Sequence, residues 1–535
     1  MKATLIADDV RLSNDVVKTR TKNIEECIKI GEVMSTILGP FSMDKMFVES
    51  DGEVSITNDG VTALSLMRSN LHPAAKLLIQ LSEAMDDQVG DGTTSVVVTA
   101  AALLKAASDL LSSGIHVMDI IRGYMFCLDY IQPVISHLSI QMPEAQKSTI
   151  LLQVSKTALT SKISTNLAPN LASISTRAFI AVDKNDQDDV NLMDRIHIIR
   201  DVSPGECELL EPLPSIMIPV QVQLKEPLVN PKMMIISFEF DPSSNKLDSS
   251  QKTSNQLTLE QVDRMLKKED ELYKKTAVHL KKLGVNAIWI QERISDARDP
   301  VPEGLKRLLS RIKVNVFGPL KPSHVKSLCN ACENEFRPVT SYSQLFNLTR
   351  ENLEKHVFNV PSVRQMNSNV LVCLPDECAR ASIVIRGPSP QALDELDRAL
   401  HDVLRVLCGI RSSDGIIPGG CTVELVVSAH IKKMSSTMSG TRAIVMESFC
   451  DAMEAIPRIL CKRGNLNVPA TLNRIHKSYL ADPDCRLGVY LGSGGCDICD
   501  LLEKGIAEPA GNKLTCLSMA IQTCVQILKI DGVHC

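Results

Sequence analysis

Apolar positions in the first 135 residues recur mostly at helical intervals. From Pro73 they fall at Ala74, Leu77, Leu78, Leu81, Ala84 and Met85, one face of a helix that proline is suited to open. Ser95 to Leu111 is apolar nearly all round, which predicts a helix buried in a large core. From about residue 200 to 375 the pattern changes. Short β-rich runs at Met233–Phe240, Ala287–Gln291 and Val370–Leu374 alternate with helical ones such as Leu259–Leu283, the texture of a separate α/β domain. Long helical patterns return from about 389. There Ser389 and Pro390 read as N-cap and first residue, ahead of Leu393, Leu396, Leu400, Val403, Leu404 and Leu407. Near the end, Val525–Val533 alternates apolar and polar like an edge strand seeking a partner, which predicts contacts with other chains near the termini. The expected class is α/β and multidomain, with helix-rich ends around an inserted middle.

Within that middle, Asp241–Gln256 is polar and has almost nothing to bury. It reads as a loop or as the root of a protruding element. No repeat of solenoid length is visible.

A length of 535 residues suggests roughly three to four domains. Lys and Arg number 58 against 63 Asp and Glu, a net charge of −5, without the basic excess of a nucleic-acid binder. Aromatics are 3% and Trp289 is the sole tryptophan, so the cores must be aliphatic and base-stacking platforms are not expected. The 17 cysteines are spread along the chain, and acidic Asp8 and Asp9 interrupt any signal-like start. Together these predict reduced thiols and a cytoplasmic location. The richest apolar run, Ser95–Leu104, stops at Lys105, so no membrane span is expected.

The most informative string is Gly90-Asp91-Gly92-Thr93-Thr94-Ser95, directly before the apolar helix. Two glycines allow close backbone approach, and free N–H groups at a helix start form an anion site. Asp91 is suited to a hard cation such as Mg²⁺ bridging phosphates. The same string also reads as a tight turn with a threonine cap. Neither the P-loop nor the dinucleotide fingerprint is present. Leu38–Lys45, Thr57–Gly60 and Pro418–Glu424 share the phosphate-loop character, although each alone reads as a turn. Asp402 lies opposite the apolar stripe of its helix, as a solvated residue would. Cys329-x-x-Cys332 and Cys496-x-x-Cys499 have metal-like spacing but no histidine partners, and chance pairs are expected where cysteine is this common.

Taken together, the order of these strings resembles the group II chaperonins along nearly the whole chain. They are Gly39-Pro40…Met43-Asp44-Lys45, Thr57-Asn58-Asp59-Gly60, His72-Pro73-Ala74-Ala75, Gly90–Ser95, Thr157–Lys162, His401-Asp402, Pro418-Gly419-Gly420 and Glu508-Pro509. A second set is similar to one branch of the eukaryotic cytosolic chaperonin's paralogous subunits. It comprises Cys207–Glu211, Asp451–Pro457, Gly492-x-Gly494-Gly495 and Ile527–Asp531.

The resemblance implies an ATPase subunit of a hetero-oligomeric double ring that encloses unfolded client proteins. It implies an equatorial domain (1–135 and 406–535), an intermediate hinge domain (136–200 and 369–405) and an apical domain (201–368) with a chamber-closing protrusion at about 241–270. Carried over by position, Asp91 binds Mg²⁺, and Asp59 and Asp402 act on the attacking water. Gly39, Pro40, Thr57, Asn58, Gly60, Gly90, Gly92, Thr93, Thr94, Ser95, Ser161, Lys162, Gly419, Gly420 and Asp500 contact ATP, with Lys162 at the γ-phosphate. Ser42 and Cys421 stand where the family usually has glycine. They support an alternative, a weakly hydrolysing subunit with a mainly structural and client-binding role.

Overall fold

In the computed structural model, the apolar run after Gly92 is helix α4, Thr93–Ser112, with Val96, Val97, Ala100, Leu103, Leu104 and Ala107 fully buried. The structure describes residues 2–48, 54–68, 71–160, 162, 167–183, 192–202, 208–209, 215–218, 224, 226–238, 240, 259–291, 301–322, 324–325, 328, 337–349, 352–366, 369–374, 380–411, 415–482, 485–492 and 495–532. The polar run Asp241–Gln256, Ser161 and the Cys329–Cys332 pair lie outside these residues. The chain divides into two compact units, one of residues 1–176 with 391–535 and the other of residues 177–390.

The first unit is helical. Its N-terminal part contains α1 (Lys2–Ser35), the hairpin β1 (Lys45–Val48) and β2 (Val54–Thr57), α2 (Gly60–Met67), α3 (Pro73–Val89), α4, α5 (Val117–Leu138) and α6 (Lys147–Leu159). Helix α7 (Ala168–Val182) runs across the boundary between units. As the spacing predicts, α3 starts with Pro73 in its first turn and buries Ala74, Leu78, Leu81 and Met85. Among the described residues, α4 is the one helix long and apolar enough to cross a membrane. Of its apolar window, 61% is buried inside this unit.

The second unit builds a mixed sheet whose strands lie side by side in the order Val357–Asn359 (β10), Lys232–Ile236 (β7), Ala287–Gln291 (β8) and Asn315–Leu320 (β9). Strands β3 (Ile196–Val202), β4 (Glu208–Leu209), β5 (Ser215–Ile218) and β6 (Leu228–Val229) precede β7 (Lys232–Ile236), which ends earlier than the apolar run predicts. Helix α8 (Leu259–Leu283) then leads to β8 (Ala287–Gln291), and α9 (Glu303–Arg311) to β9 (Asn315–Leu320). These strands are parallel because each helix returns the chain to the same end of the sheet. Alternation sorts the side chains. Met234, Ile236, Ile288 and Ile290 join one core with Leu280 and Leu305, while Met233, Ile235, Ala287 and Trp289 join another. Beyond α10 (Tyr342–Phe346), β10 (Val357–Asn359) pairs antiparallel with β7, and β11 (Ser362–Met366) and β12 (Asn369–Cys373) continue the second core. Finally β13 (Ala381–Gly387) runs parallel to β3, setting Ile383 beside Ile198.

The returning chain forms α11 (Pro390–Arg411), β14 (Ile416–Pro418), α12 (Thr422–Ser435), α13 (Thr441–Met453), α14 (Ala455–Arg463) and α15 (Val468–Ala481). It ends with β15 (Leu487–Gly492), β16 (Gly495–Asp500), β17 (Ala507–Pro509) and α16 (Ala510–Lys529). The edge strand expected at Val525–Val533 is therefore corrected, since 525–529 are the last turns of α16. Cys516, Leu517, Ala520, Ile521, Cys524, Val525 and Leu528 form one buried helical stripe, and burying it outweighs a short local alternation. Between α12 and α15, Glu454 is buried and accepts from Ser428 Oγ at 3.1 Å, His476 Nε2 at 2.9 Å and Arg458 Nη2 at 2.7 Å. Burial alone would raise its pKa, but the bonds from His476 and Arg458 hold it down at about 2.

Helices α1 and α4 touch at Gly31, where an added Cβ would sit 2.2 Å from Ala101 Cβ. Gly31→Ala gains about 1 kcal/mol of helix propensity. Overpacking costs about 1–3 kcal/mol, and so short a contact belongs at the upper end. We expect a lower thermal midpoint in Gly31→Ala and its recovery in Gly31→Ala/Ala101→Gly. A midpoint at or above wild type in the single variant would contradict this packing.

Candidate functional site

Helix α4 begins without a side-chain cap. Its N-cap residue is Gly92 at φ 78°, a left-handed conformation reached cheaply by glycine, and neither Thr93 nor Thr94 fills the cap position. The threonine-cap reading of this turn is thereby set aside. The first N–H groups of a 20-residue helix remain open to an anion. Gly90, also left-handed, closes α3 by donating to Asp86 O at 2.9 Å. Asp91 Oδ1 accepts from Gly92 N at 2.8 Å, and its side chain stays 41% exposed.

Facing this turn is a cavity of ≈ 240 Å³. Its polar side comes from Asn58, Asp59 and Gly60, from Asp91 to Ser95, and from Thr157, Thr160 and Lys162. Its apolar walls are Ile37, Leu38, Ile456, Leu460, Val489, Leu491 and Ile506. Gly39, Pro40 and Gly420 complete the lining among the expected positions. Thr57, Gly90, Asp402, Gly419 and Asp500 do not line it. Thr57 Oγ1 accepts from Asp59 N at 3.1 Å, Gly419 N donates to Ile506 O at 3.1 Å, and Asp500 Oδ1 accepts from Leu502 N at 2.9 Å.

Asp402 is not the solvated residue that its place on the polar face predicts. Its side chain is only 15% exposed, and Lys162 Nζ donates to its Oδ2 at 2.6 Å. The face of α11 opposite the leucine stripe meets Lys162 rather than water at this point. The same ammonium lies 3.7 Å from Asp91 Oδ1. Burial opposes its charge, yet Asp91 and Asp402 hold Lys162 protonated well above its ordinary range. For Asp402 burial dominates. It pushes the carboxyl up to about 6 against the pull of Lys162, with Asp59 and Asp91 adding like-charge repulsion. One turn further along α11, Arg405 Nη1 donates to Asp86 O at 2.8 Å and Asp86 Oδ2 at 3.1 Å, bracing the end of α3.

Sequence reasoning missed the role of Lys513 and Glu424. Lys513 Nζ lies 3.0 Å from Glu424 Oε1 and 3.2 Å from Glu508 Oε2, and all three line the cavity. Burial pushes Glu508 up, while the two carboxylates hold Lys513 charged against burial. A lysine on the apolar face of α16, four residues before Leu517, was the available signal. The apolar walls gave none, because they come from α14, β15, the turn that follows α1 and the residue before β17.

The two positions noted for lacking glycine differ in consequence. Cys421 adopts φ 65° despite its Cβ, and burial pushes its thiol far above the ordinary value. Ser42 Oγ only accepts a long bond from Asn58 Nδ2 at 3.5 Å. Cys496 and Cys499 lie on β16, and among the described residues no cluster of three or more His, Cys, Asp or Glu is suited to a metal. A single hard carboxylate beside an anion site is a different donor set. Magnesium is commonly held by one or two carboxylates together with phosphate oxygens and water, and Asp91 fits that pattern.

Removing the lysine should expose the electrostatics. Lys162→Met strips the partner from Asp402, a change that costs about 3 kcal/mol in a buried pair. Asp402 has its pKa raised, so it becomes protonated as pH falls through about 6, and the penalty should shrink there. Thermal midpoints should differ most near pH 8 and converge near pH 5.5. A gap independent of pH would contradict the arrangement.

The TCP-1/cpn60 chaperonin family profile matches residues 30–534. T-complex protein 1 subunit delta of Takifugu rubripes is 30% identical over 521 residues, covering 96% of this chain and 94% of that protein. The Homo sapiens protein of that name is 29% identical over 526 residues, with 96% and 93% covered. The branch suggested by the second set of strings is this delta type. A thermosome subunit of Pyrococcus abyssi is 27% identical over 513 residues, covering 94% of this chain and 88% of its own. In fold, the chain is similar to a group III chaperonin solved in the open state, with a TM-score of 0.76, 19% identity and coverage of 97% and 99%. A match over this span, in a chain with an uncapped helix start above a half-buried lysine–carboxylate cluster, means that the chain belongs to the TCP-1/cpn60 chaperonin family, a family of nucleotide-binding subunits.

Proposed function

We propose that this chain is an ATP-hydrolysing chaperonin subunit. In this reading it works in the cytoplasm, in a hetero-oligomeric double ring of paralogous subunits that encloses unfolded proteins. The observation that carries the reading is the Lys162–Asp402 pair beside Asp91 and the open start of α4. The open N–H groups of α4 suit phosphate oxygens, and Lys162 suits the terminal phosphate. The apolar walls suit a nucleobase. Asp91 would hold Mg²⁺, which supplies charge neutralisation across the phosphates when bound. Asp59 and Asp402 orient the attacking water. With its pKa near 6, Asp402 is mostly ionised at neutral pH and can accept a proton. The hinge segments 136–200 and 369–405 belong to the same reading. A second one, a weakly hydrolysing structural subunit, is favoured by the left-handed Cys421 in the cavity lining.

Subunit-resolved labelling separates binding from cleavage. In the assembled particle, photo-crosslinking with 8-azido-ATP labelled at the α-phosphate reads binding to this chain, and label at the γ-phosphate reads cleavage. Asp91→Ala should lose both signals. Asp402→Ala should keep the α label and cleave about 10²-fold or more slowly. Wild-type cleavage should fall as pH drops below about 6, where Asp402 takes a proton. Equal loss of α label in both variants would reject this division of roles, and negligible cleavage by wild type would favour the structural subunit.

Assembly has its own test. On size exclusion of an untreated extract, the chain should elute in a megadalton fraction with its paralogues. A monomer peak at 58.7 kDa alone would overturn the ring assignment.

A further inference from the structure

Residues 398, 402 and 405 are spaced i, i+4 and i+7 on α11, which puts Arg398, Asp402 and Arg405 along one face. Each grips a different segment of the site. Asp402 takes Lys162, and Arg405 takes the end of α3. Arg398 reaches the start of α2, where its Nη1 donates to Thr62 Oγ1 at 2.9 Å. That hydroxyl donates to Asp59 Oδ2 at 2.7 Å, and Thr62 N donates to the same oxygen at 3.0 Å.

The direction of this relay is fixed by chemistry. A guanidinium has donors and no acceptor, so Thr62 must accept from Arg398 and turn its own proton toward Asp59. Both donors then fall on Oδ2. Among the described residues no group bonds to Asp59 Oδ1, while the residue itself lines the cavity. A hydroxyl released from Arg398 could rotate, and the carboxylate would keep only the Thr62 N–H as a fixed donor.

We propose that Arg398 is a positioning residue for Asp59. Through the Thr62 hydroxyl it holds the carboxylate with Oδ1 free for the attacking water, and it makes that orientation depend on α11 being seated. The inference rests on the reading of Asp59 as a group that orients water during ATP cleavage. The plain alternative is that Arg398 only fastens one helix to another at an exposed point.

The test uses the assembled particle and 8-azido-ATP labelled at the α- or the γ-phosphate. Arg398→Ala and Thr62→Val should bind with the half-saturation of wild type, while cleavage slows about tenfold or more, part of the roughly 10²–10⁴-fold that a well-placed general base contributes. Thr62→Ser keeps the hydroxyl and should cleave near the wild-type rate. Arg398→Lys keeps a donor and should recover part of the loss. The double variant Arg398→Ala/Thr62→Val should be no slower than the slower single one, because both act through one link. Retained α label in each variant is the control for folding.

The proposal is overturned if Arg398→Ala cleaves at the wild-type rate while Asp402→Ala does not, an outcome that leaves the ATPase reading intact. It is also overturned if Thr62→Ser is as slow as Thr62→Val, or if binding and cleavage fall together in Arg398→Ala and Thr62→Val. If wild type and Asp402→Ala fail alike to cleave bound nucleotide, the ATPase reading itself falls and the inference with it.

Discussion

The Lys162 ammonium is the charge on which the site depends. Burial and the nearby charges of Asp59 and Asp91 raise the pKa of Asp402, against the pull of Lys162. Lys162 lies beside Asp91 and Asp402 and is held charged by them. The pair with Asp402 joins positions 240 residues apart in sequence. Such a bridge adds little net stability, because removing the ions from water offsets most of their attraction. Its effect is on geometry, since it fixes Asp402 against Lys162, beside Asp91 and the uncapped start of α4. It also leaves Asp402 with a pKa near 6, where burial outweighs the pull of the lysine.

A second cluster uses the same logic with one fewer carboxylate. Lys513 bridges Glu424 and Glu508 where α16, α12 and β17 come together. Breaking either lysine away would leave buried carboxylates uncompensated, so each cluster constrains the segments that supply it. The cavity between them has a polar side and an apolar side, as a nucleotide has. Cys421 is the one strained element of the lining. Its left-handed backbone costs an amount of order 1–2 kcal/mol that glycine would not incur.

Much of the architecture was legible in the chain. The periods of 3.6 and 2 separated helical ends from an α/β middle, and Leu259–Leu283 and Ala287–Gln291 coincide with α8 and β8. This worked because each element must bury one face or stripe, and burial leaves a periodic trace. It failed at Val525–Val533, where a few alternating residues imitate a strand while the longer stripe from Cys516 belongs to a helix. Local pattern cannot say which period wins. Only the core against which the stripe packs decides that.

The site divides in the same way. The Gly90–Ser95 turn, with the expected carboxylates around it, was readable from the sequence because a glycine-flanked acid before an apolar helix is a local device. Glycine supplies the left-handed turn and the helix start supplies the donors. Asp402 lies where its helix reads as solvated, and only tertiary packing brings Lys162 to cover it. Lys513, Glu424 and the apolar walls carried no local signature of a shared cavity, since they come from segments hundreds of residues apart or from ordinary helix and strand positions. The sequence by itself determined most of the elements and the glycine-flanked turn that leaves a helix start uncapped, because those depend on neighbours along the chain. The tertiary structure decided which charges meet and which carboxylate is lifted toward neutral pH, because desolvation and Coulomb energy depend on distance in space.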